Sequence, residues 1–328
     1  MEEDLVCCVI SSWNRLDILR QNIDAIYKQD YQNKEIIVID NCSNDGTQEY
    51  LKDKYENQCK WDFFYEIMPH SKFTAMQTLN RGFWIAKYDH HAKYILVLDD
   101  DCILQETNSI SKLVEVAKSK KDVGMVACNV RGPENKIPQT DFKFALNTHI
   151  NLKSLPRNPF RVYDYIGACA LYNTDIFSGY DESFGIYWNE SDTALNILSR
   201  GHDVLFEKNV QPIHLYSPKQ RNVNKGVYYY IKNGNTIINR YLSFKNRLVL
   251  IPLRLATMMI WVWRFKDIKL VIKAILISIL GLIQIFYMKD RVKPINDTIQ
   301  NEINQAYTGW YFRKFYEWIF GYSIYEGL

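Results

Sequence analysis

The chain has 328 residues, 47% of them hydrophobic and 23% charged. That is too apolar for a disordered chain, and long enough for one large domain with a smaller appendage. The net charge of +3 hides a division: from Pro218 onward 17 Lys/Arg face 6 Asp/Glu, a net +11, whereas the first 217 residues carry 23 against 31, a net −8. An acidic front and a basic, aromatic tail point to a tail that meets something negative.

Seven cysteines (Cys7, Cys8, Cys42, Cys59, Cys102, Cys128, Cys169) are odd in number and lack any paired metal-finger spacing. They read as reduced core cysteines of a cytoplasmic protein. The opening Met1–Ile10 lacks a basic n-region, so no signal peptide is expected.

Leu5–Ile10 is a continuous apolar run, the pattern of a buried strand, and it ends in the polar Ser11-Ser12-Trp13-Asn14. Leu16, Leu19, Ile23 and Ile26 then recur at helical spacing, with Asn14 placed to cap. Glu35–Ile39 is a second strand, ending in Asp40 and a turn through Gly46, after which Thr47–Tyr55 has helical composition. Asp62–Glu66 is a third strand, Ala75–Ala86 a helix, Tyr94–Leu98 a fourth strand and Val123–Cys128 a fifth. Strands alternating with helices predict an α/β fold with a mostly parallel sheet and helices on both faces. Ligands bind such sheets beyond the carboxyl ends of the strands, and here those ends carry Ser11, Ser12, Asp40 and Asp99-Asp100-Asp101. Arg131 to about Phe160 is polar and proline-bearing, a loop region over that rim.

Three carboxylates against a buried strand end cost free energy unless a cation or hydrogen-bond donors compensate. In an extended segment Asp99 and Asp101 share a face, which suits a divalent ion; an acidic surface loop is the plain alternative. A second polar cluster, Tyr187–Asp192, leads into a helix expected over Thr193–Arg200. Glu190 and Asp192 either cap that helix or supply a general base. His214 is either a structural histidine or a third metal ligand. Lys219, Arg221 and Lys225 form a basic loop that either closes over a diphosphate or stays solvated.

These residues resemble inverting family 2 glycosyltransferases of the GT-A fold, over roughly Leu5 to Asn235. The resemblance rests on Val9–Arg15, on Asn33–Thr47, on Asn80-Arg81-Gly82, on Asp99–Asp101 and on the gap-free run Gly179–Asp192, and continues through Gly201 and His214 to Tyr229–Asn233. The subset of the family that it resembles includes rhamnosyl- and galactofuranosyltransferases of bacterial surface polysaccharides. The resemblance implies a nucleotide-sugar site on Ser11, Asn14, Arg15, Asp40, Asn80, Asp99 and Asp100, with Asp40 on the base. It implies Mn²⁺ or Mg²⁺ on Asp99, Asp101 and His214. It implies Glu190 as base, with Asp192 orienting or binding the acceptor. Two departures stand out: Asn189 replaces the usual first acid with Glu190 where Asp is usual, and Asn196 replaces a common arginine.

The expected organisation is a GT-A catalytic domain over residues 1–217, with a nucleotide half to about 101 and an acceptor half from 102, then a helical region over 218–328. In that region Leu248–Trp263 is broken by Arg254 and Ala274–Met288 is short, so a spanning helix is not expected. Arg264, Lys266, Lys269 and Lys273 beside aromatic runs such as Trp310–Phe320 suit helices lying on an anionic membrane surface, or else packing on another subunit as a homo-oligomer. The function implied is sugar transfer to a saccharide acceptor, carried on a lipid, by an enzyme peripheral on the inner face of the cell membrane, with no nucleic-acid partner. The rivals are a catalytically silent nucleotide-sugar-binding subunit and a nucleotidyltransferase. The latter lacks its Gly-rich phosphate loop after the first strand.

Overall fold

The computed structural model describes residues 3–57, 62–133, 159–215, 223–263 and 268–288, with 295 and 298–301. Cys59, most of the loop from Arg131 to Phe160, Lys219, Arg221, Arg264, Lys266 and Trp310–Phe320 lie outside the described residues.

Continuous apolar runs form the centre of a mixed eight-stranded sheet, because strands covered on both faces bury every side chain. In chain order the strands are β1 (Val6–Ser12), β2 (Lys34–Asp40), β3 (Phe63–Ile67), β4 (Tyr94–Asp99), β5 (Cys102–Ile103), β6 (Val123–Cys128), β7 (Phe160–Arg161), β8 (Cys169–Asn173), β9 (Asp203–Glu207) and β10 (Ile213–His214). The spatial order is β3-β2-β1-β4-β8-β6-β9-β7, and β5 pairs separately with β10. Strands β3, β2, β1 and β4 run parallel, as do β6 and β9; β8 enters antiparallel between β4 and β6, and β7 is an antiparallel edge. Apart from β8 and β7 this is the expected sheet.

The register sets the rim. Ser12 pairs with Asp40 and Ser11 with Asp99, so the polar strand ends stand side by side. Helices α1 (Leu16–Tyr27), α2 (Thr47–Asn57), α3 (Ala75–Trp84), α4 (Ser109–Lys118) and α5 (Asn189–Ser199) connect the strands. α3 starts in a capping box, Thr74 and Gln77 each satisfying the other's backbone N–H, and lies close on the sheet. At Gly82 a Cβ would meet Val9 Cγ1 at 2.4 Å, so only glycine permits that approach. The helix expected to Ala86 instead changes at Ile85 into one π turn, Ile85–Asp89.

Three further helices follow: α6 (Val223–Tyr241), α7 (Phe244–Trp263) and α8 (Ile268–Tyr287), α8 packing on both of the others. Arg254 of α7 is fully buried, hydrogen-bonds the Asn235 side chain and lies over the rings of Trp188 and Tyr230 at 4.9 and 5.3 Å. Such a buried guanidinium fastens the helical region to the end of the loop before α5. No helix among the described residues is long and apolar enough to cross a membrane.

Two local expectations fail. Asn14 does not cap α1: it sits at φ 53° and its Oδ1 accepts from the Asn44 backbone, while Asp45 Oδ2 accepts from Leu16 N. The cap therefore comes from the neighbouring loop, a partner 29 residues away. α5 begins at Asn189, not Thr193, so Glu190 and Asp192 are in its first turn. Tyr187 and Trp188, at φ 63° and 66°, turn the chain into the helix. Left-handed backbone at two bulky residues is costly, and Asn233 of α6 holds it by donating to the carbonyls of Phe184, Ile186 and Tyr187.

Candidate active site

β4 ends at Asp99, and Asp100 and Asp101 follow in a turn rather than the extended segment expected. β10 brings the next component: His214 pairs with Cys102 of β5, its N–H bonds Arg131 O, and Leu215 N bonds Asp101 O. His214 Nε2 thereby stands 3.0 Å from Asp101 Oδ1 and 3.8 Å from Asp99 Oδ2. The three ligand atoms of Asp99, Asp101 and His214 lie within 4.8 Å of one another. Two carboxylate oxygens and one imidazole nitrogen suit a hard or borderline divalent ion such as Mn²⁺ or Mg²⁺.

Arg15, from the turn before α1, closes the cluster from the other side with Nη1 2.7 Å from both Asp100 Oδ1 and Asp101 Oδ2. The charges sort accordingly. Burial raises Asp101, but the hydrogen bond and charge of His214 and the charge of Arg15 outweigh it and hold that carboxyl below its ordinary value. Burial pushes Asp100 up to about 7 against the pull of Arg15. Burial also raises Asp99, opposed by His214; with 44% of its side chain exposed, Asp99 feels only part of that desolvation and is the open member of the cluster. His214 would be lowered by burial, yet Asp101 and Asp99 bring it above its ordinary value.

Glu190 lies against the chain entering β8. A Cβ on Gly167 would come within 2.7 Å of Glu190 Oε1, so the carboxylate rests on bare backbone there. The next residue, Ala168, accepts a hydrogen bond from Asp99 N. The two clusters singled out in the sequence, 91 residues apart, thus meet across the start of one strand.

Asp192 is placed differently from Glu190. It is buried and accepts from Arg240 Nη1 at 2.8 Å and from the Tyr241 hydroxyl at 2.7 Å, and Arg240 also reaches Asp181 at 2.9 Å. Asp192 therefore locks α5 to α6 and edges a cavity of about 260 Å³ lined by Asp181, Asn196 and Arg240 among others, with Glu190 outside its lining. Asn196, which stands where the family commonly has an arginine, lines this cavity together with Arg240, which only the fold brings near.

The remaining sequence-selected residues divide between rim and scaffold. Ser11 Oγ bonds Thr78 Oγ1 at 2.6 Å. Asp40 is fully buried and its oxygens accept from the Ser43 side chain and backbone, which shapes the turn after β2. Asn80 ties α3 to the loop before α5: its amide donates to Tyr180 O and Glu182 Oε1, and its Oδ1 accepts from Tyr180 N at 2.7 Å. Asn80→Ala strands two buried backbone groups of Tyr180 and is expected to lower unfolding stability by about 2–3 kcal/mol, read by urea denaturation. Sequence reasoning singles out neither Arg240 nor Gly167, and reaches Asn233 only as the end of the Tyr229–Asn233 resemblance. The helix that carries Asn233 and Arg240 also holds Asn224, Lys225, Lys232, Asn235 and Asn239, so neither residue stands out by type.

Comparison with known proteins agrees with this fold. The model of Glycosyl transferase family 2 matches residues 7–180, more than half of the chain. Poly-beta-1,6-N-acetyl-D-glucosamine synthase of Staphylococcus aureus is 28% identical over 123 residues, 38% of this chain and 28% of that protein. The chain thus spans well under two thirds of that relative. Among solved structures, the mannosyltransferase PcManGT from Pyrobaculum calidifontis with GDP-Man and Mn²⁺ aligns at TM-score 0.54 and 16% identity, covering 72% of this chain and 64% of that one. S. aureus TarS 1–349 with UDP-GlcNAc aligns at 0.54 and 13%, covering 71% and 66%, and GalNAc-T7 with UDP, GalNAc and Mn²⁺ at 0.59 and 16%, covering 73% and 48%. At these identities the structures speak for the GT-A fold. With the family model matched across the strands that build the rim, the chain belongs to glycosyl transferase family 2.

Proposed function

We propose that this protein transfers a sugar from a nucleoside diphosphate sugar to a saccharide hydroxyl by a single displacement with inversion. The observation that carries the reading is the convergence of Asp99, Asp101 and His214 beside Glu190. Asp99, Asp101 and His214 would hold Mn²⁺ or Mg²⁺, which when bound neutralises charge on the diphosphate leaving group. Arg15 keeps Asp101 ionised and oriented for that role. Glu190 takes the acceptor hydroxyl proton on Oε1 or Oε2 as that oxygen attacks the anomeric carbon, and the sugar–phosphate bond breaks on the opposite side. Asp192, spent on Arg240 and Tyr241, fixes the first turn of α5 on which Glu190 stands.

The donor class we propose is a UDP- or dTDP-linked sugar such as galactofuranose or rhamnose, with a growing, lipid-linked cell-surface polysaccharide as acceptor. A panel of sugar nucleotides with Mn²⁺, followed by released nucleoside diphosphate, tests this. Turnover with one donor supports it, whereas metal-dependent nucleotide binding without turnover across the panel favours a silent binding subunit.

The site is proposed to work at an anionic bilayer surface. α8 presents Ile275, Leu276, Ile279, Leu280, Ile283 and Phe286 outward, all exposed, over a stretch without charge and next to exposed Lys269 and Lys273. An apolar helix face flanked by cations, in a region of net charge +11, fits lipid headgroups and the upper acyl layer. Sedimentation with anionic vesicles is expected to carry the protein down. Leu280→Asp with Ile283→Asp is expected to weaken that binding at least tenfold with turnover on a soluble acceptor unchanged.

A further inference from the structure

A second group of metal-ligating side chains lies away from the active site, on the part of the sheet nearer its N-terminal edge. Cys7 of β1 and Glu35 of β2 are register partners, so their side chains leave the sheet on the same face. His90 comes to them from the end of the π turn, its N–H on Ile85 O, and His91 at φ 56° then returns the chain toward β4. A π turn and a left-handed histidine in succession are two local departures from cheap backbone, and both set the position of His90.

The side chains converge. His90 Nδ1 bonds Glu35 Oε2, Cys7 Sγ lies 3.9 Å from the same oxygen, and the three ligand atoms fall within 4.8 Å of one another. Phe64 meets the His90 ring edge-on at 5.7 Å and fixes its plane. The thiol is fully buried, whereas the Glu35 and His90 side chains are 24% and 25% exposed, so the group is closed on the sulfur side and open on the other. We infer that Cys7, Glu35 and His90 form a zinc-class cation site that ties β1, β2 and the end of the π turn together, with solvent in the fourth position. Sulfur, imidazole and carboxylate in threes match a tetrahedral zinc set and not the oxygen-rich set of Asp99, Asp101 and His214. On binding, Cys7 loses its thiol proton to solvent, the hydrogen shared by His90 Nδ1 and Glu35 Oε2 leaves that bond for solvent or for Nε2, and the S–Zn and N–Zn bonds form with His90 carrying its one hydrogen on Nε2. Cys7 pairs with Ile95 of β4 and Asp99 with Ser11, four residues further along, which separates the two sites by about 13 Å of strand. The role is structural, since the three ligands come from β1, β2 and the end of the π turn, away from the strand ends that carry Asp99 and Asp101.

Cobalt(II) serves as the probe because a thiolate ligand gives it a sulfur-to-metal charge-transfer band, which Asp99, Asp101 and His214 cannot. The full chain carrying Asp101→Ala, with the active-site cluster broken, is expected to take one equivalent of Co²⁺ and show the band. Cys7→Ser in that background is expected to abolish the band, and His90→Ala to weaken cobalt binding at least tenfold. Zinc at a hundredfold excess over its Kd is expected to raise the melting temperature of Asp101→Ala by about 4 °C and to leave that of the added Cys7→Ser unchanged. No band at one equivalent, or a band that persists in folded Cys7→Ser, overturns the site. Should Cys7→Ser not fold, an unchanged band and affinity in His90→Ala and Glu35→Gln overturns it equally.

Discussion

Asp101→Ala is expected to lower turnover of the correct donor by about 10²–10³-fold in saturating Mn²⁺. Asp101 is the centre of its cluster: one oxygen meets His214 at 3.0 Å and the other Arg15 at 2.7 Å. Removing it takes away one ligand and frees both cationic neighbours, so the loss exceeds that of a single ligand. Two readouts separate this from unfolding. Circular dichroism should stay near wild type, since Asp101 lies in a turn beyond β4, while the melting point falls because a buried carboxylate paired with His214 and Arg15 is lost, so turnover is read well below it. Residual activity should require far more Mn²⁺. The pH dependence follows from the same contacts. Asp101 and Asp99 raise His214, so the metal-free site keeps a proton on the imidazole to a higher pH than an ordinary histidine. Only neutral imidazole ligates, so apparent Mn²⁺ affinity is present above that raised value and falls about tenfold per pH unit below it. His214→Gln should flatten the profile. Unchanged turnover in Asp101→Ala would remove the cluster from the mechanism.

Glu190→Gln is expected to cut kcat by about 10²–10⁴-fold and leave donor KM within a few-fold of wild type. The substitution keeps shape and hydrogen bonding while removing the base. The proposed choice of Glu190 rests on placement: it lies beside Gly167, next in the chain to the Ala168 carbonyl that bonds Asp99 N, whereas Asp192 is bonded to Arg240 and Tyr241. Asp192→Asn should therefore act mainly on stability, by about 3–5 kcal/mol, because it leaves a buried guanidinium with one fewer partner. A loss in kcat confined to Asp192→Asn, with Glu190→Gln near wild type, would reverse the assignment. Glu190 is one methylene longer than the usual aspartate, so Glu190→Asp tests reach. Partial activity there would show that the acceptor tolerates the shorter base.

The strands of the sheet and the rim they build were legible because buried parallel strands write themselves as apolar runs ending in polar residues, as at Leu98-Asp99 and Ile39-Asp40. The direction of β8 was not, since Cys169–Asn173 is buried at every position and its residues do not mark which way it runs in the sheet. The start of α5 was missed for a related reason. Glu190 and Asp192 read as residues ahead of the helix that could cap it, and nothing in Tyr187-Trp188 announces left-handed backbone; its support, Asn233, is 46 residues away from Tyr187. Pairings of that kind are set by tertiary packing. Arg15 with Asp100 and Asp101, and Arg240 with Asp192, belong to the same class: the residue types were visible, the partners were not. Asp40 and Asn80, polar residues at a strand end and on a motif helix, drew attention as ligand contacts, and the bonds their side chains make to a turn and a loop are ones that local sequence does not announce.

The central claim is that Asp99, Asp101 and His214 hold the divalent ion that engages the donor diphosphate. The direct measurement is Mn²⁺ titration of wild type and His214→Ala, followed by electron paramagnetic resonance of free Mn²⁺, with and without UDP. The expected result is a site in wild type that tightens when UDP is added, and at least a tenfold loss of affinity in folded His214→Ala. Equal Mn²⁺ affinity in the two proteins, unaffected by UDP, would contradict the account.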